Sequence, residues 1–109
     1  MKIAIAVDGV EVTQHFGHCD SFVIYEIEDG AVKDQIMVMN PGHVPGVLPK
    51  MLIDRGVSCL ITGGLGSNAQ KIFRDAGIRL IVGISGEAED AIRDYMNGKL
   101  QDGENSCDH

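Results

Sequence analysis

The sequence lacks the features of a membrane-bound or nucleic-acid-binding protein. Its nine lysines and arginines stand against 16 aspartates and glutamates, which gives a formal net charge of -7. A phosphate-backbone partner requires clustered positive charge, so we predict no nucleic-acid partner. No apolar run approaches the roughly 20 residues of a membrane span, and no cleavable small-residue site follows the amino-terminal segment. We therefore expect a cytoplasmic protein with no membrane partner.

Cysteine is also scarce. The three cysteines, Cys19, Cys59 and Cys107, are widely spaced and form no CxxC pair. An odd number of separated thiols is typical of a reducing compartment rather than of a disulfide framework. Cys59 alternates with Ile61 in an apolar segment, so we predict a core position for it and exclude it from the site.

The length of 109 residues fits one domain that can bury a core without disulfides. We predict this domain over residues 1–98. Residues 99–109 are polar, and the segment from Asp102 to Ser106 is typical of a flexible tail.

Apolar runs separated by turn residues predict a mixed α/β fold. Asp29-Gly30 between two strand-like runs is a hairpin signal, so these two strands should be antiparallel. Ser67 to Gln70 is typical of a capping box that opens a helix. We predict five strands at residues 2–7, 21–28, 32–39, 57–62 and 78–82, and three helices over residues 47–56, 67–77 and 87–97.

The predicted connections bring four loops to one end of the sheet. Crossovers between parallel strands are right-handed, so the strands that begin near residues 57 and 78 run parallel to the first strand. Ligands of open α/β sheets bind outside the carboxyl ends of the strands, where the strand order reverses. We therefore place the site where these loops meet, at residues 8–20, 40–45, 63–66 and 83–86.

The densest group of ligand atoms is the segment His15-Phe16-Gly17-His18-Cys19. Two imidazoles and a thiol within five residues are good ligands for a soft or borderline metal ion. We predict that His15, His18 and Cys19 bind metal. The alternative is that the two histidines only order the loop through hydrogen bonds to backbone carbonyls.

Three further residues are candidate metal ligands. His43 lies in one of the four converging loops. Cys107 and His109 end the chain, and an extended tail of about 3.3 Å per residue is long enough to bring them to the same end of the sheet. The alternative for this pair is a tail with a surface thiol and no ligand.

The glycine-rich segment Gly63-Gly64-Leu65-Gly66 precedes a predicted helix. Its backbone N–H groups could cradle an anion or the sulfides of an anionic cluster at the amino terminus of that helix. The alternative is a tight strand-to-helix turn, since the segment lacks the lysine of a phosphate-binding loop. We predict that this segment, together with Phe16 and Gly17, contacts the cofactor.

In this order the motifs resemble the dinitrogenase iron-molybdenum cofactor biosynthesis family, and the resemblance covers nearly the whole chain. The motifs that carry it are His15-Phe16-Gly17-His18 followed by Phe22, Glu28-Asp29-Gly30, Gly56-Val57, Ile61-Thr62-Gly63-Gly64-Leu65-Gly66, Ala76-Gly77-Ile78 and Cys107-Asp108-His109.

The resemblance implies a three-layer α/β/α ribonuclease-H-like fold. Its mixed sheet would have five strands in the order 3-2-1-4-5, with strand 2 antiparallel. It also implies a non-enzymatic protein that binds, carries or scaffolds an iron-sulfur or molybdenum-iron-sulfur cluster or its precursor. The expected partners are the cluster and the proteins that donate or accept it.

Two other functions are alternatives to the cluster carrier. A ribonuclease-H-like nuclease needs several carboxylates on adjacent strands for two Mg²⁺ ions, and here only Asp8 and Asp20 are near. A small regulatory module that binds a nucleotide or another anion through the glycine-rich loops is the stronger alternative, because it requires no thiol.

Overall fold

The apolar runs form one mixed sheet flanked by helices in the computed structural model, which describes residues 1–42 and 46–100. In this part of the chain the elements follow one another as β1 (Lys2–Asp8), β2 (Glu11–Val12), a 3₁₀ turn (Phe16–His18), β3 (Ser21–Glu28), β4 (Ala31–Met39), α1 (Val47–Asp54), β5 (Val57–Ile61), α2 (Ser67–Asp75), β6 (Arg79–Ile81) and α3 (Ala88–Met96).

The central strand of the sheet is β1, whose residues from Ile3 to Val7 are completely buried. The sheet order is β4-β3-β1-β5-β6, with β1 antiparallel to β3, β3 antiparallel to β4, and β1, β5 and β6 parallel. The prediction of a mixed α/β fold is confirmed. The prediction of five strands was one short, because β2 also pairs with β1 through Val7 and Val12. A strand of two residues is too short to show an apolar period.

The two faces of the sheet carry separate cores, since successive side chains along a strand point to opposite faces. One core lies under α1 and α2, and the other lies under α3. The first includes Ala4, Ala6, Phe22, Ile24, Leu52, Leu60 and Phe73. The second includes Ile3, Ile5, Val7, Val23, Tyr25, Cys59, Ile61, Ala91 and Ile92. Cys59 is 1% exposed, so the predicted core position is confirmed.

The helices begin within one residue of the predicted positions and end one or two residues earlier, but the N-cap of α2 differs from the prediction. α2 begins at Ser67 with Gly66 as its N-cap, so Ser67 does not act as the cap of a capping box. The side chain of Gln70 instead donates to the Leu65 carbonyl at 2.9 Å. α2 ends before Gly77, which has a φ of +79° that favours glycine. Within residues 1–42 and 46–100, no helix is long and apolar enough to span a membrane.

Candidate functional site

The loop after β1 folds over the carboxyl ends of the parallel strands. Its Thr13 N–H donates to the Ala6 carbonyl at 2.9 Å, and its Thr13 carbonyl accepts from Gly63 N–H at 2.8 Å. Phe16 N–H donates to the Gly64 carbonyl at 3.1 Å. The segment from Thr13 to Phe16 is therefore held against the end of β5 by backbone hydrogen bonds.

The other predicted loops reach the same end of the sheet. Val12 N–H donates to the Gly86 carbonyl at 2.8 Å, which joins the loop after β6 to the loop after β1. The side chain of Asn40, directly after β4, donates to the Cys19 carbonyl at 2.8 Å. We call this end of the sheet the convergent end. The described parts of the four loops predicted to meet do so here.

The two glycines that follow Thr62 are required by the close approach of the first loop. A Cβ at Gly64 would lie 2.2 Å from the Gln14 carbonyl oxygen, and one at Gly63 would lie 2.5 Å from the Thr13 carbonyl oxygen. The Gly63 N–H also already donates to Thr13. These two glycines let the first loop lie directly against the end of β5. This agrees with the alternative that the segment is a tight strand-to-helix turn, and adds a backbone contact with the first loop.

Phe16 fastens the loop to the core. It is 5% exposed, and its ring centroid lies 5.5 Å from that of Phe22 and 5.6 Å from that of Phe73. The contact with Phe73 is edge-to-face, a favourable arrangement of two aromatic quadrupoles. Because Phe16 points inward, the next two residues of the 3₁₀ turn, Gly17 and His18, are exposed at the surface.

A cavity of about 370 Å³ lies beside this turn at the convergent end. Its walls come from the turn, from the residues on either side of the undescribed segment 43–45, and from the amino-terminal parts of α1 and α2. The residues that line it are Phe16, Gly17, His18, Gly42, Gly46, Leu48, Pro49, Gly66, Asn68, Ala69 and Ile72. The walls are mainly apolar, and His18 and Asn68 are the lining residues with polar side chains.

Both α1 and α2 begin beside the cavity, and each has a glycine as its N-cap. These are Gly46 for α1 and Gly66 for α2, neither of which can cap the helix with a side chain. The first N–H groups of a helix have no partner within the helix and carry a partial positive charge. Two helix amino termini and one imidazole therefore border the same cavity, an arrangement that suits an anion.

The structure does not bring the predicted metal ligands of the first loop together. His15 and His18 are exposed, whereas Cys19 is 2% exposed and packs in the core under α1 and α2. Of the three, His18 lines the cavity. In the part of the chain that the structure describes, no three His, Cys, Asp or Glu side chains are grouped as a metal site. His43, Cys107 and His109 lie outside the described residues.

The side chains of Asp8 and Asp20 accept hydrogen bonds from groups of the first loop. Asp8 accepts from the Thr13 hydroxyl at 2.7 Å and from the Asp20 N–H at 3.0 Å. Asp20 in turn accepts from Gly9 N–H at 3.1 Å. Sequence reasoning considered these carboxylates only as magnesium ligands and missed this network. The local feature of the sequence that could have indicated this network is Thr13, a hydroxyl donor close to the two carboxylates.

Cys19 is held as a neutral thiol. Burial, followed by the nearby carboxylates of Asp8 and Asp20, raises its pKa from an ordinary value of 9.0 to about 12. A thiolate is the form that binds metal ions and reacts with electrophiles. In this conformation Cys19 is consequently a poor metal ligand.

We predict that Cys19 resists alkylation in the native protein at pH 8.5 and reacts rapidly once the chain is unfolded in urea. Peptide mass spectrometry would measure both rates. The unfolded thiol loses its proton first as the pH rises, so the free energy of unfolding should also fall between about pH 9 and 12. Equal alkylation rates in the native and unfolded protein would contradict the buried position.

Comparison with known proteins identifies the family. The model of the family described as dinitrogenase iron-molybdenum cofactor matches residues 1–98. The chain belongs to this family. An uncharacterized protein of Methanocaldococcus jannaschii is 31% identical over 106 residues, which cover 93% of this chain and 90% of that protein.

Solved structures show the same architecture. The crystal structure of PH0822 has a TM-score of 0.87 and 32% sequence identity, and the match covers 95% of this chain and 96% of that chain. A solution structure from Thermotoga, provisionally described as a NifB protein, has a TM-score of 0.77 and 27% identity, over 93% and 91% of the two chains. The predicted family is confirmed, and the chain is a small protein related to iron-molybdenum cofactor proteins.

Proposed function

We propose that this protein binds and carries an iron-sulfur or molybdenum-iron-sulfur cluster, or a precursor of one, in the cavity at the convergent end. The observation that carries the proposal is the position of that cavity, between the His18 imidazole and the amino termini of α1 and α2. Family membership supports a cargo related to the iron-molybdenum cofactor.

The chemistry of the cavity fits such a cargo. Sulfide-rich clusters are anionic, and helix amino termini attract anions without a charged side chain. This matters here because the whole chain has a net charge of -7 and would repel an anion elsewhere on its surface. Apolar walls from Leu48, Pro49 and Ile72 would keep water away from the cargo.

One nearby imidazole leaves most metal positions of a cluster without a protein ligand. His43 follows the cavity residue Gly42 directly in sequence, and Cys107 and His109 end the chain. We propose all three as further ligands. His15 and Cys19 stay in the proposal as predicted ligands that would require the loop to move.

The proposed role is that of a cytoplasmic carrier without catalytic activity, which receives its cargo from one protein and delivers it to another. The family is not known for catalysis. We also propose that the α/β architecture is ribonuclease-H-like. The two helices on one face and one helix on the other agree with three layers.

The alternative of an anion-binding or nucleotide-binding module rests on the same two helix amino termini. It differs in predicting that inorganic phosphate or a nucleotide binds as tightly as a metal-sulfur species. Competition between phosphate and the cluster during anaerobic reconstitution separates the two functions, because a cluster carrier should keep its cargo in excess phosphate.

We predict that His18→Ala lowers the affinity for cluster by at least about tenfold, since removing a metal ligand or its immediate support has effects of that size. The experiment is anaerobic reconstitution with ferrous iron and sulfide, with and without molybdate, followed by elemental analysis and electronic spectra. His15→Ala is the comparison variant, because it removes an exposed imidazole from the same loop that does not line the cavity in this structure.

The two histidine variants distinguish the cavity from the loop as the binding site. Loss of metal in His18→Ala alone supports the cavity. Equal losses in both variants would favour the five-residue ligand segment that the sequence predicts. Full metal content in both would contradict the proposal.

A further inference from the structure

The edge strand β4 has little cover on either face. Every residue from Ala31 to Met39 is exposed except Val38, which is half-buried. Among the described residues, β4 pairs only with β3. At the opposite edge of the sheet, β6 is only three residues long, so β4 is the longer of the two open edges. Long open edge strands are sites where another strand can pair.

Apolar side chains are concentrated on this strand. Of the seven large hydrophobic residues that are exposed in the described part of the chain, four lie in β4. They are Val32, Ile36, Met37 and Met39, and the two methionines are 60% and 69% exposed. Burying such side chains is worth about 1.5–3 kcal/mol each, so the exposed edge favours association.

The backbone of β4 offers hydrogen-bonding groups in the direction of solvent. Asn40 N–H donates to the Asp20 carbonyl at 3.1 Å, so the backbone of residue 40 faces β3. Alternate residues of an antiparallel strand face the same neighbour. Val38 and Ile36 therefore also face β3, whereas the N–H and C=O groups of Met39, Met37 and Gln35 point away from the sheet.

We propose that β4 pairs antiparallel with β4 of a second copy of this chain, with the two-fold axis at Met37. This register places Met37 opposite Met37, Ile36 opposite Val38, and Gln35 opposite Met39. Each outward-facing residue then exchanges hydrogen bonds with an outward-facing residue of the other copy. The exposed side chains of this half of the strand meet apolar partners or the Gln35 amide.

Charge favours a second copy in this register over other arrangements. Residues 35–39 carry no charge, although the chain as a whole has a net charge of -7, so two copies meet here with little repulsion. Moving the axis to Gln35 would place Lys33 opposite Met37 and Asp34 opposite Ile36. With the axis at Met37, Asp34 lies opposite the Asn40 amide instead.

The dimer would be weak and would leave the cavity accessible. A strand pair of five residues buries less than the roughly 1,200–2,000 Å² of a stable interface, so we expect a weak dimer with a dissociation constant roughly between micromolar and millimolar. In an antiparallel pair the loop after β4 in one copy lies beside the start of β4 in the other. The two cavities therefore lie at opposite ends of the joined sheet, and the proposal does not depend on their cargo.

Sedimentation equilibrium of the intact chain from micromolar to millimolar concentration tests the association. The expected mass rises from 11.7 kDa to twice that value. Met37→Lys should raise the dissociation constant at least about tenfold, because it places two positive charges opposite each other and removes two apolar side chains from the interface. Val10→Lys is the matched control, since Val10 is 69% exposed in the turn before β2 and should leave the dimer unchanged.

Cross-linking tests the register. Opposed residues of a hydrogen-bonded antiparallel pair have Cα atoms about 5.5 Å apart, within the range of a disulfide. In a Cys107→Ser background, Met37→Cys should therefore form a disulfide-linked dimer on oxidation. Gln35→Cys should not, because its two copies would lie four positions apart, or roughly 13 Å.

Two results would overturn the proposal. One is a parent chain that remains monomeric at millimolar concentration. In that case β4 does not pair with a second copy, and a strand of a different protein would be the partner to test. The other is a dimer that persists unchanged in Met37→Lys or that cross-links equally through Gln35→Cys, which would place the interface or its register elsewhere.

Discussion

Gly64→Ala is expected to lower the free energy of unfolding by about 1–3 kcal/mol and to move the first loop away from the sheet. The added methyl group would lie 2.2 Å from the Gln14 carbonyl oxygen, which is a backbone atom and cannot rotate away. To relieve this contact the loop must shift, and the hydrogen bond from Phe16 N–H to the Gly64 carbonyl would then be strained or broken.

Urea unfolding followed by circular dichroism measures the stability, and amide hydrogen exchange at Phe16 reports the loop. Gly17→Ala is the matched control, since nothing lies within 4 Å of a Cβ at that position and its φ is not positive. We expect Gly17→Ala to be neutral or slightly stabilising. A Gly64→Ala protein as stable as Gly17→Ala, with an unchanged exchange rate at Phe16, would show that the close approach is not essential.

The strands could be predicted from the sequence because their signals are local. Continuous apolar runs marked β1 and β5, and Asp29-Gly30 marked the hairpin between β3 and β4. The handedness of the crossovers then gave the end of the sheet at which the loops meet. β2 escaped prediction because its pairing depends on how the loop folds back, which no pattern of two residues can indicate.

The candidate site was harder to predict because the direction of each side chain depends on tertiary contacts. Five residues rich in ligand atoms indicate metal chemistry, but the 3₁₀ turn buries Phe16 and the return into β3 buries Cys19. Only Gly17 and His18 of this segment are left both exposed and beside the cavity. The sequence likewise cannot separate a glycine needed for a ligand from one needed for a neighbouring backbone, as at Gly64.

Only the part of the cavity that the first loop and the glycine-rich segment form could be predicted from motifs. Several of its walls are ordinary residues at the starts of α1 and α2, such as Leu48 and Ala69. These residues matter because the amino termini of α1 and α2, each with a glycine N-cap, border the same cavity. A useful signal in the sequence would have been glycine, rather than serine or aspartate, directly before each of these helices.

Phe16→Ala is expected to have the largest effect of the changes considered, with a loss of about 3–5 kcal/mol in the free energy of unfolding. It removes the ring that contacts Phe22 and Phe73 and leaves a space in the core under α1 and α2. Phe16 also fixes the 3₁₀ turn that presents His18 to the cavity. The same change should therefore weaken cluster binding, even under conditions where the protein remains folded.

Phe16→Leu separates these two effects. Leucine keeps much of the apolar volume and should recover more than half of the lost stability, but it lacks the edge-to-face contact with Phe73. If the ring serves only the core, cluster affinity should follow stability across the three proteins. If the ring also sets the position of His18, affinity in Phe16→Leu should remain well below that of the parent. Urea unfolding and anaerobic reconstitution of the same preparations give both quantities, and parental values of both in Phe16→Ala would contradict the proposed anchor.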